Sequence, residues 1–238
     1  MNEYRSREIP VHSHESVDVF LNGRLKLIQS RDGYRFSVDA FLLSSFATIK
    51  KGDTVVDLGT GCGIIPLLLL ASAPVNLAVG LEIQEELADQ AARNAALNGF
   101  ARRMKVIRGD LRFPPLSSQC ADVVLCNPPY RRARSGRLNP DPRKAIARHE
   151  ILATPNHILA AGARLLRPKG RLAVIYPSTR LVEVTAGMRR FNLEPKRIRM
   201  VHPHQEAPAK LVLLEAWLGA RPGVDILPPV FGQGDLAA

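Results

Sequence analysis

The segment that decides the fold is Thr54-Val55-Val56-Asp57-Leu58-Gly59-Thr60-Gly61-Cys62-Gly63-Ile64-Ile65-Pro66-Leu67-Leu68-Leu69-Leu70. A short β-branched run ends on a carboxylate, passes Gly59, Gly61 and Gly63, and enters an apolar run of helical length. That order reads as a buried strand, a tight turn and a helix, the first half of a βαβ unit. Glycines at such a turn take dihedrals closed to other residues and let the backbone pass close to a ligand. The spacing is GxGxG. A dinucleotide fingerprint needs GxGxxG, and Ile64 stands where its third glycine should be. The turn therefore lacks the pyrophosphate cradle, and a dehydrogenase reading recedes. Asp57 at the strand end would repel a phosphate and suits a cationic ligand.

Working outward, the chain alternates strand and helix from Asp53 on, which predicts a parallel sheet covered on both faces. Strands are expected at Thr54–Leu58, Asn76–Leu81, Met104–Arg108, Asp122–Cys126 and Arg171–Tyr176. Helices are expected at about Gly63–Ser72, Gln84–Asn98, His149–Leu166 and Ser178–Phe191. Arg197–His202 and Lys210–Trp217 follow with only the loop PHQEAPA between them, so they should run antiparallel. The fold class is thus α/β: a seven-stranded, mostly parallel sheet with a terminal antiparallel hairpin. Upstream, residues 1–50 form a short lead-in. Leu25–Ser30 and Tyr34–Ser37 flank Arg31-Asp32-Gly33, a turn signal joining two short strands, and a helix from Val38 to Ile49 follows with Ser37 as N-cap. Residues 51–220 make the main domain, and the Pro- and Gly-containing tail 221–238 is expected to be a loosely packed extension.

Two more acids follow the next two strands. Leu81-Glu82-Ile83 puts a carboxylate where it can accept from both ribose hydroxyls, and Arg108-Gly109-Asp110-Leu111 puts one within reach of an adenine amine. With Asp57, Gly59 and Gly61 they form a site suited to S-adenosylmethionine, whose ammonium and sulfonium are cationic. The fourth strand ends in Asn127-Pro128-Pro129-Tyr130. A nitrogen conjugated to a π-system is a poor nucleophile, because its lone pair is delocalised. The Asn127 side-chain oxygen and the Pro128 carbonyl can each accept one of its N–H groups, favouring the pyramidal, charge-bearing geometry over the planar ground state. Pro128 and Pro129 fix the loop, and Tyr130 offers a flat face to a π-plane. Any chemistry here is alignment for in-line displacement at a methyl group, with no strong base required.

Composition is that of a soluble globular chain of 238 residues, 46% hydrophobic and 23% charged. The longest apolar run, Ile64–Ala73, is far short of the roughly 20 residues of a membrane span. The charged N-terminus lacks an apolar signal region, and the expectation is a cytoplasmic protein without a membrane partner. A net charge of +11 favours a polyanion. The cations concentrate after the tetrapeptide, at Arg131, Arg132, Arg134, Arg137, Arg143, Lys144 and Arg148, with Lys196, Arg197 and Arg199 as a possible extension. Such a run is usually a solvated surface; beside a base pocket it would grip the phosphates flanking a flipped nucleotide. Cys62, Cys120 and Cys126 form no CxxC pair, in keeping with a reduced compartment. His12-Ser13-His14-Glu15 and His202-Pro203-His204 lack a third spaced ligand, so no metal is expected.

VVDLGTGCGIIPLLL, LEIQEE, GDL and NPPY resemble, in order and spacing, the amino-methylating class I enzymes with a Rossmann-like fold. QSRDGYRFSVDAFLLSSFA, NPPYRRARSGRLNPDPRKAIARHE and VHPHQEAPAKLVLLEAWLGARPG are similar more narrowly to the bacterial tRNA(Val) (adenine-37-N6)-methyltransferase family. The resemblance spans roughly Leu21 to Gly223. It implies methylation of N6 of the adenine beside the anticodon, with S-adenosylmethionine as cofactor and tRNA as partner. It implies cofactor contacts at Asp57, Gly59, Gly61, Glu82, Asp110 and Asn127, with Arg35, Phe36 and Asp39 closing over the cofactor and Asn127 to Tyr130 at the base. Rival readings are N5-methylation of a release-factor glutamine, which uses the same tetrapeptide, DNA adenine methylation, and a non-catalytic RNA-binding domain. The short, stranded lead-in disfavours the first, the missing target-recognition domain the second, and the intact NPPY the third.

Overall fold

The alternation read from the chain becomes a single mixed sheet in a computed structural model, which describes residues 9–32, 38–128 and 153–232. In chain order the described elements are β1 (Glu15–Phe20), β2 (Leu25–Ser30), α1 (Asp39–Phe46), β3 (Thr54–Leu58), α2 (Ile64–Ser72), β4 (Leu77–Glu82), α3 (Glu85–Leu97), β5 (Met104–Arg108) and β6 (Ala121–Cys126). There follow α4 (Pro155–Leu165), β7 (Leu166–Pro177), a short turn of 3-10 helix (Ser178–Arg180), α5 (Leu181–Arg190), β8 (Leu193–His202), β9 (Leu211–Leu218) and β10 (Asp225–Phe231). The sheet order is β10-β8-β9-β7-β6-β3-β4-β5, with β9 antiparallel to both β7 and β8 and the other pairs parallel.

Alternation along the strands splits the core in two. Val55, Ala78, Val123, Leu125 and Ile175 point to the face covered by α1, α2 and α3, and Val56, Leu81, Val124, Leu172 and Val174 to the face covered by α4 and α5. Helix α2 is apolar all round and buried from Ile64 to Leu70, because it lies between the sheet and the α1 and β2 layer. Helix α4 starts where a capping box fixes it: Thr154 accepts from the His157 N–H, His157 bonds back, and Pro155 takes the first helical position.

Most expected elements are in place within a residue or two, and the terminal hairpin is antiparallel as read. Other features differ from or add to the reading: β7 starts at Leu166 and β8 at Leu193, earlier than the expected Arg171 and Arg197. The sheet has eight strands rather than seven. The eighth, β10, lies in the tail expected to be loose; Pro228 and Pro229 argued against a strand, yet they fall at the register shift between Leu227 and Val230 on an edge strand, where missing donors cost little. The partner of β2 is β1, paired from Glu15↔Ser30 to Phe20↔Leu25, and the turn is at Leu21-Asn22-Gly23, all with positive φ. β1 also brings Glu15 against Arg93 and Gln90 of α3, while Gly33 of the expected turn and its second strand, Tyr34–Ser37, lie outside the described residues. Finally, α1 ends at Phe46, because Arg197 caps the Phe46 carbonyl and Glu215 takes the Thr48 N–H, pulling the chain out of the helix. Ser37, Tyr34 and the first residues of the expected His149–Leu166 helix lie outside the described residues.

Candidate active site

Parallel pairing brings the ends of β3, β4, β5 and β6 to one edge. Asp57 registers with Gly80 on β4 and Leu125 on β6, and Glu82 with Arg108 on β5. Asp57, Glu82, Asp110 and Asn127 therefore emerge side by side at the carboxyl edge, where open α/β sheets bind ligands. The Gly59 and Thr60 N–H groups both bond the Leu81 carbonyl, at 2.8 and 3.0 Å, which folds the turn across the end of β4. Gly59, Gly61 and Gly63 all have positive φ. A Cβ on Gly59 would meet nothing within 4 Å, so space is open above the turn, whereas one on Gly63 would lie 2.6 Å from Met104 Cε. Gly63 serves packing and Gly59 serves approach.

The carboxylates differ in what holds them. Asp57 is buried; its Oδ2 accepts from the Thr60 hydroxyl at 2.6 Å, and its Oδ1 has no hydrogen-bond partner among the described residues. Burial, with Glu82 adding repulsion against the opposing Thr60 bond, pushes its carboxyl up to about 7. Glu82 is also buried; Oε2 accepts from the Gly61 N–H and Oε1 from the Gln84 N–H, both at 2.9 Å. Burial still outweighs those bonds and raises its pKa. A carboxylate has about four acceptor sites, so both acids retain capacity toward a ligand. Asp110 is different: Arg112 pairs with it at 2.6 Å, and that guanidinium holds its carboxyl below the usual range.

Asn127 is half-buried and Pro128 buried directly beyond β6. Asp39 opens α1. Arg35, Phe36, Pro129, Tyr130, Arg131, Arg132, Arg134, Arg137, Arg143, Lys144 and Arg148 lie outside the described residues. Lys196, Arg197 and Arg199 stand on β8, and Arg197 is committed to Phe46, Thr48 and Glu215. Cys62 and Cys126 are buried, and burial pushes the Cys62 thiol up to about 12, so neither is a nucleophile.

Sequence reasoning missed Thr60, whose hydroxyl bonds Asp57, and Gly80, where a Cβ would come within 2.7 Å of the Thr60 side chain. A hydroxyl between two turn glycines, three residues after an acid, was the available signal. It missed Arg112 as the partner of Asp110 as well.

An orphaned buried carboxylate oxygen beneath an open glycine turn, with a second buried acid beside it, fits a cationic nucleoside. The fold and this edge define a Rossmann-like class I methyltransferase. A family model described as a methyltransferase domain matches residues 49–212. Among solved structures, a predicted O-methyltransferase from Agrobacterium tumefaciens superposes with a TM-score of 0.66 at 20% identity, over 81% of this chain and 86% of that one, a likeness of fold. The tRNA1(Val) (adenine(37)-N6)-methyltransferase of Porphyromonas gingivalis is 30% identical, covering 89% of this chain and 85% of its own length. The enzyme of that name from Parabacteroides distasonis is also 30% identical, over 76% of each chain. The chain belongs to the tRNA1(Val) (adenine(37)-N6)-methyltransferase family, and its cofactor is S-adenosylmethionine.

Proposed function

We propose that this protein methylates N6 of an adenine in tRNA, adenine 37 of tRNA-Val, in the cytoplasm. The observation that carries the reading is that Asp57, with an unpartnered buried oxygen, and Asn127-Pro128 leave adjacent strands at one edge. S-adenosylmethionine supplies the methyl group as a sulfonium. Asp57 and the Gly59–Gly61 turn hold the cationic amino-acid end, Glu82 the ribose, and Asp110 the adenine amine once its bond to Arg112 is shared. Asn127 and the Pro128 carbonyl accept the two N–H groups of the target amine and so stabilise its charge-bearing geometry. The proton leaves to solvent after transfer, because the alkylated nitrogen is acidic. Pro129 and Tyr130 complete the base platform, Arg35, Phe36 and Asp39 close the cofactor side, and Arg131, Arg132, Arg134, Arg137, Arg143 and Lys144 hold flanking phosphates. Residues 51–220 form the catalytic domain, 1–50 its lead-in and 221–238 its tail.

The test supplies labelled S-adenosylmethionine with unmodified tRNA transcripts and, separately, a release factor. N6-methyladenosine from tRNA-Val is expected. Label on glutamine with tRNA blank would reassign the substrate and leave the chemistry. Asn127→Ala should lower kcat by about 10²–10³-fold, the usual cost of one electrostatic contact made in the transition state.

A further inference from the structure

Helix α3 carries Gln90 and Asn94, and Asn98 caps its C-terminus, each about one turn apart, and all of them bond the N-terminal hairpin. Gln90 donates to Glu15 on β1 at 3.1 Å. Asn94 Oδ1 accepts from the Ile28 N–H at 2.6 Å and its Nδ2 donates to the Ile28 carbonyl at 3.0 Å. Asn98 repeats the pattern on Lys26, accepting at 2.8 Å and donating at 2.6 Å. The two amides thus serve the outward backbone groups of β2 in place of a neighbouring strand, and close an edge that would otherwise be open.

Asn94, fully buried, makes one bond more: Nδ2 donates to the Cys62 carbonyl at 2.9 Å. An amide has two N–H groups, and here one goes to the hairpin and the other to the glycine turn. The same helix begins at Gln84, whose N–H is held by Glu82, and Glu82 holds the Gly61 N–H. Turn, Glu82, α3 and Asn94 form a closed ring, and the hairpin hangs from Asn94.

We propose that Asn94 is a positioning residue for the cofactor turn, and that through it cofactor binding and anchoring of the N-terminal hairpin reinforce one another. The inference rests on the turn being the cofactor site. A ligand that fixes Gly61 fixes the Cys62 carbonyl, which orients the Asn94 amide for Ile28. Linkage makes the effect reciprocal, so a loosened hairpin amide weakens the ligand by the same factor.

The experiment measures S-adenosylhomocysteine affinity by calorimetry and amide exchange by mass spectrometry on the full chain. In the wild type, saturating S-adenosylhomocysteine should slow exchange at Ile28, the amide that Asn94 holds, by about tenfold, within the usual range of coupling. Asn94→Asp keeps the acceptor for Ile28 and loses both donors; its affinity should fall about tenfold and the protection of β2 should vanish. Asn98→Ala frees Lys26 without touching the turn, and should leave affinity within about twofold. A wild type that binds S-adenosylhomocysteine with no change in β2 exchange overturns the inference alone, even if no Asn94 variant folds. Equal losses of affinity in Asn94→Asp and Asn98→Ala also overturn it, because hairpin anchoring in general, and not the turn contact, would then matter. A wild type that binds no S-adenosylhomocysteine takes down the cofactor-site reading with it.

Discussion

Two acids equally covered from solvent have carboxyls displaced in opposite directions. Glu15 in the N-terminal hairpin and Asp57 at the end of β3 are 3% and 1% exposed. Glu15 accepts from both Nη atoms of Arg93 at 2.8 and 2.7 Å, from the His12 N–H and from Gln90, and the Arg93 guanidinium pulls its carboxyl down to about 2. Asp57 has one hydroxyl for company and a second acid nearby, and burial pushes it up to about 7. Two things differ: Asp57 is far more deeply surrounded by protein, and the fold supplies Glu15 with a cation. The hairpin latch is complete in itself, so its carboxylate stabilises the protein. Asp57 has no counter-charge among the described residues, so its carboxylate is destabilised, as the proposed role of holding a cationic ligand requires.

The largest expected effect breaks the site side of this comparison. Glu82→Ala removes the acceptor for the Gly61 and Gln84 N–H groups as well as the proposed ribose contact. Hydrogen bonds to a charged group contribute about 1.5–3 kcal/mol each, so S-adenosylmethionine affinity should fall about 100-fold or more in a calorimetric titration. Asp57→Asn sharpens the same point, since it should weaken the cofactor and yet raise the melting temperature of the free protein at pH 8. A group whose folded pKa is raised stabilises the fold below its unfolded value of 3.8, and that contribution is lost as pH rises through about 7. The substitution should therefore flatten the fall in stability over that window. A lower melting temperature in Asp57→Asn would make Asp57 a structural acid like Glu15, and the contrast would fail.

The latch side has the next largest effect. Arg93→Ala leaves Glu15 buried without its cation, and breaking such a pair costs about 3 kcal/mol, measurable by denaturant unfolding. The sign with pH is the reverse of that for Asp57. Glu15 is depressed from 4.5 to about 2, so its stabilisation is complete above 4.5 and is lost as pH falls through about 2. An Arg93→Ala variant should lose the acid limb that this acid contributes. A variant as stable as wild type at pH 7 would show that the hairpin is held by its apolar face and not by the latch.

The two regions were not equally legible in the sequence. The gathering of Gly59, Gly61 and the acids Asp57, Glu82 and Asp110 at one sheet edge was, because they are tied to strand ends, and strand ends follow from local pattern. The latch was not. Glu15 reads as one acid in a charged N-terminal stretch, and its partners Gln90 and Arg93 stand about 75 residues away on a helix whose polar stripe looks solvated. Asn94 and Asn98 were hidden for the same reason: an amide that replaces a strand has no signature along the chain. The β1–β2 hairpin turning at Asn22-Gly23 was not read, because a turn signal says where the chain reverses and not which segments pair. β10 was missed because Pro228 and Pro229 forbid a central strand while leaving an edge strand open, and edge or centre is a property of topology.

The smallest expected effect concerns a pair lying between the two regions in kind. Arg108 at the end of β5 meets Glu85 in the first turn of α3 at 2.7 Å, as short as the Arg93–Glu15 contact, but the side chains are 61% and 75% exposed. Distance alone would rank these pairs as equals. Water and salt screen the exposed one, and holding two long side chains costs entropy, so Arg108→Ala should change unfolding free energy by less than about 0.5 kcal/mol. Glu85 also gains from the N-terminal end of α3 with or without Arg108, which further reduces what the arginine adds. Cofactor affinity is the sharper readout, because Arg108 precedes Gly109-Asp110 at the site edge. An affinity within about twofold of wild type would show that burial, and not proximity to the edge, decides which charges matter. A several-fold gain in affinity for the cationic cofactor would instead mean that Arg108 opposes it through space, and the site would have to be counted as a field of all its edge charges rather than as two buried acids.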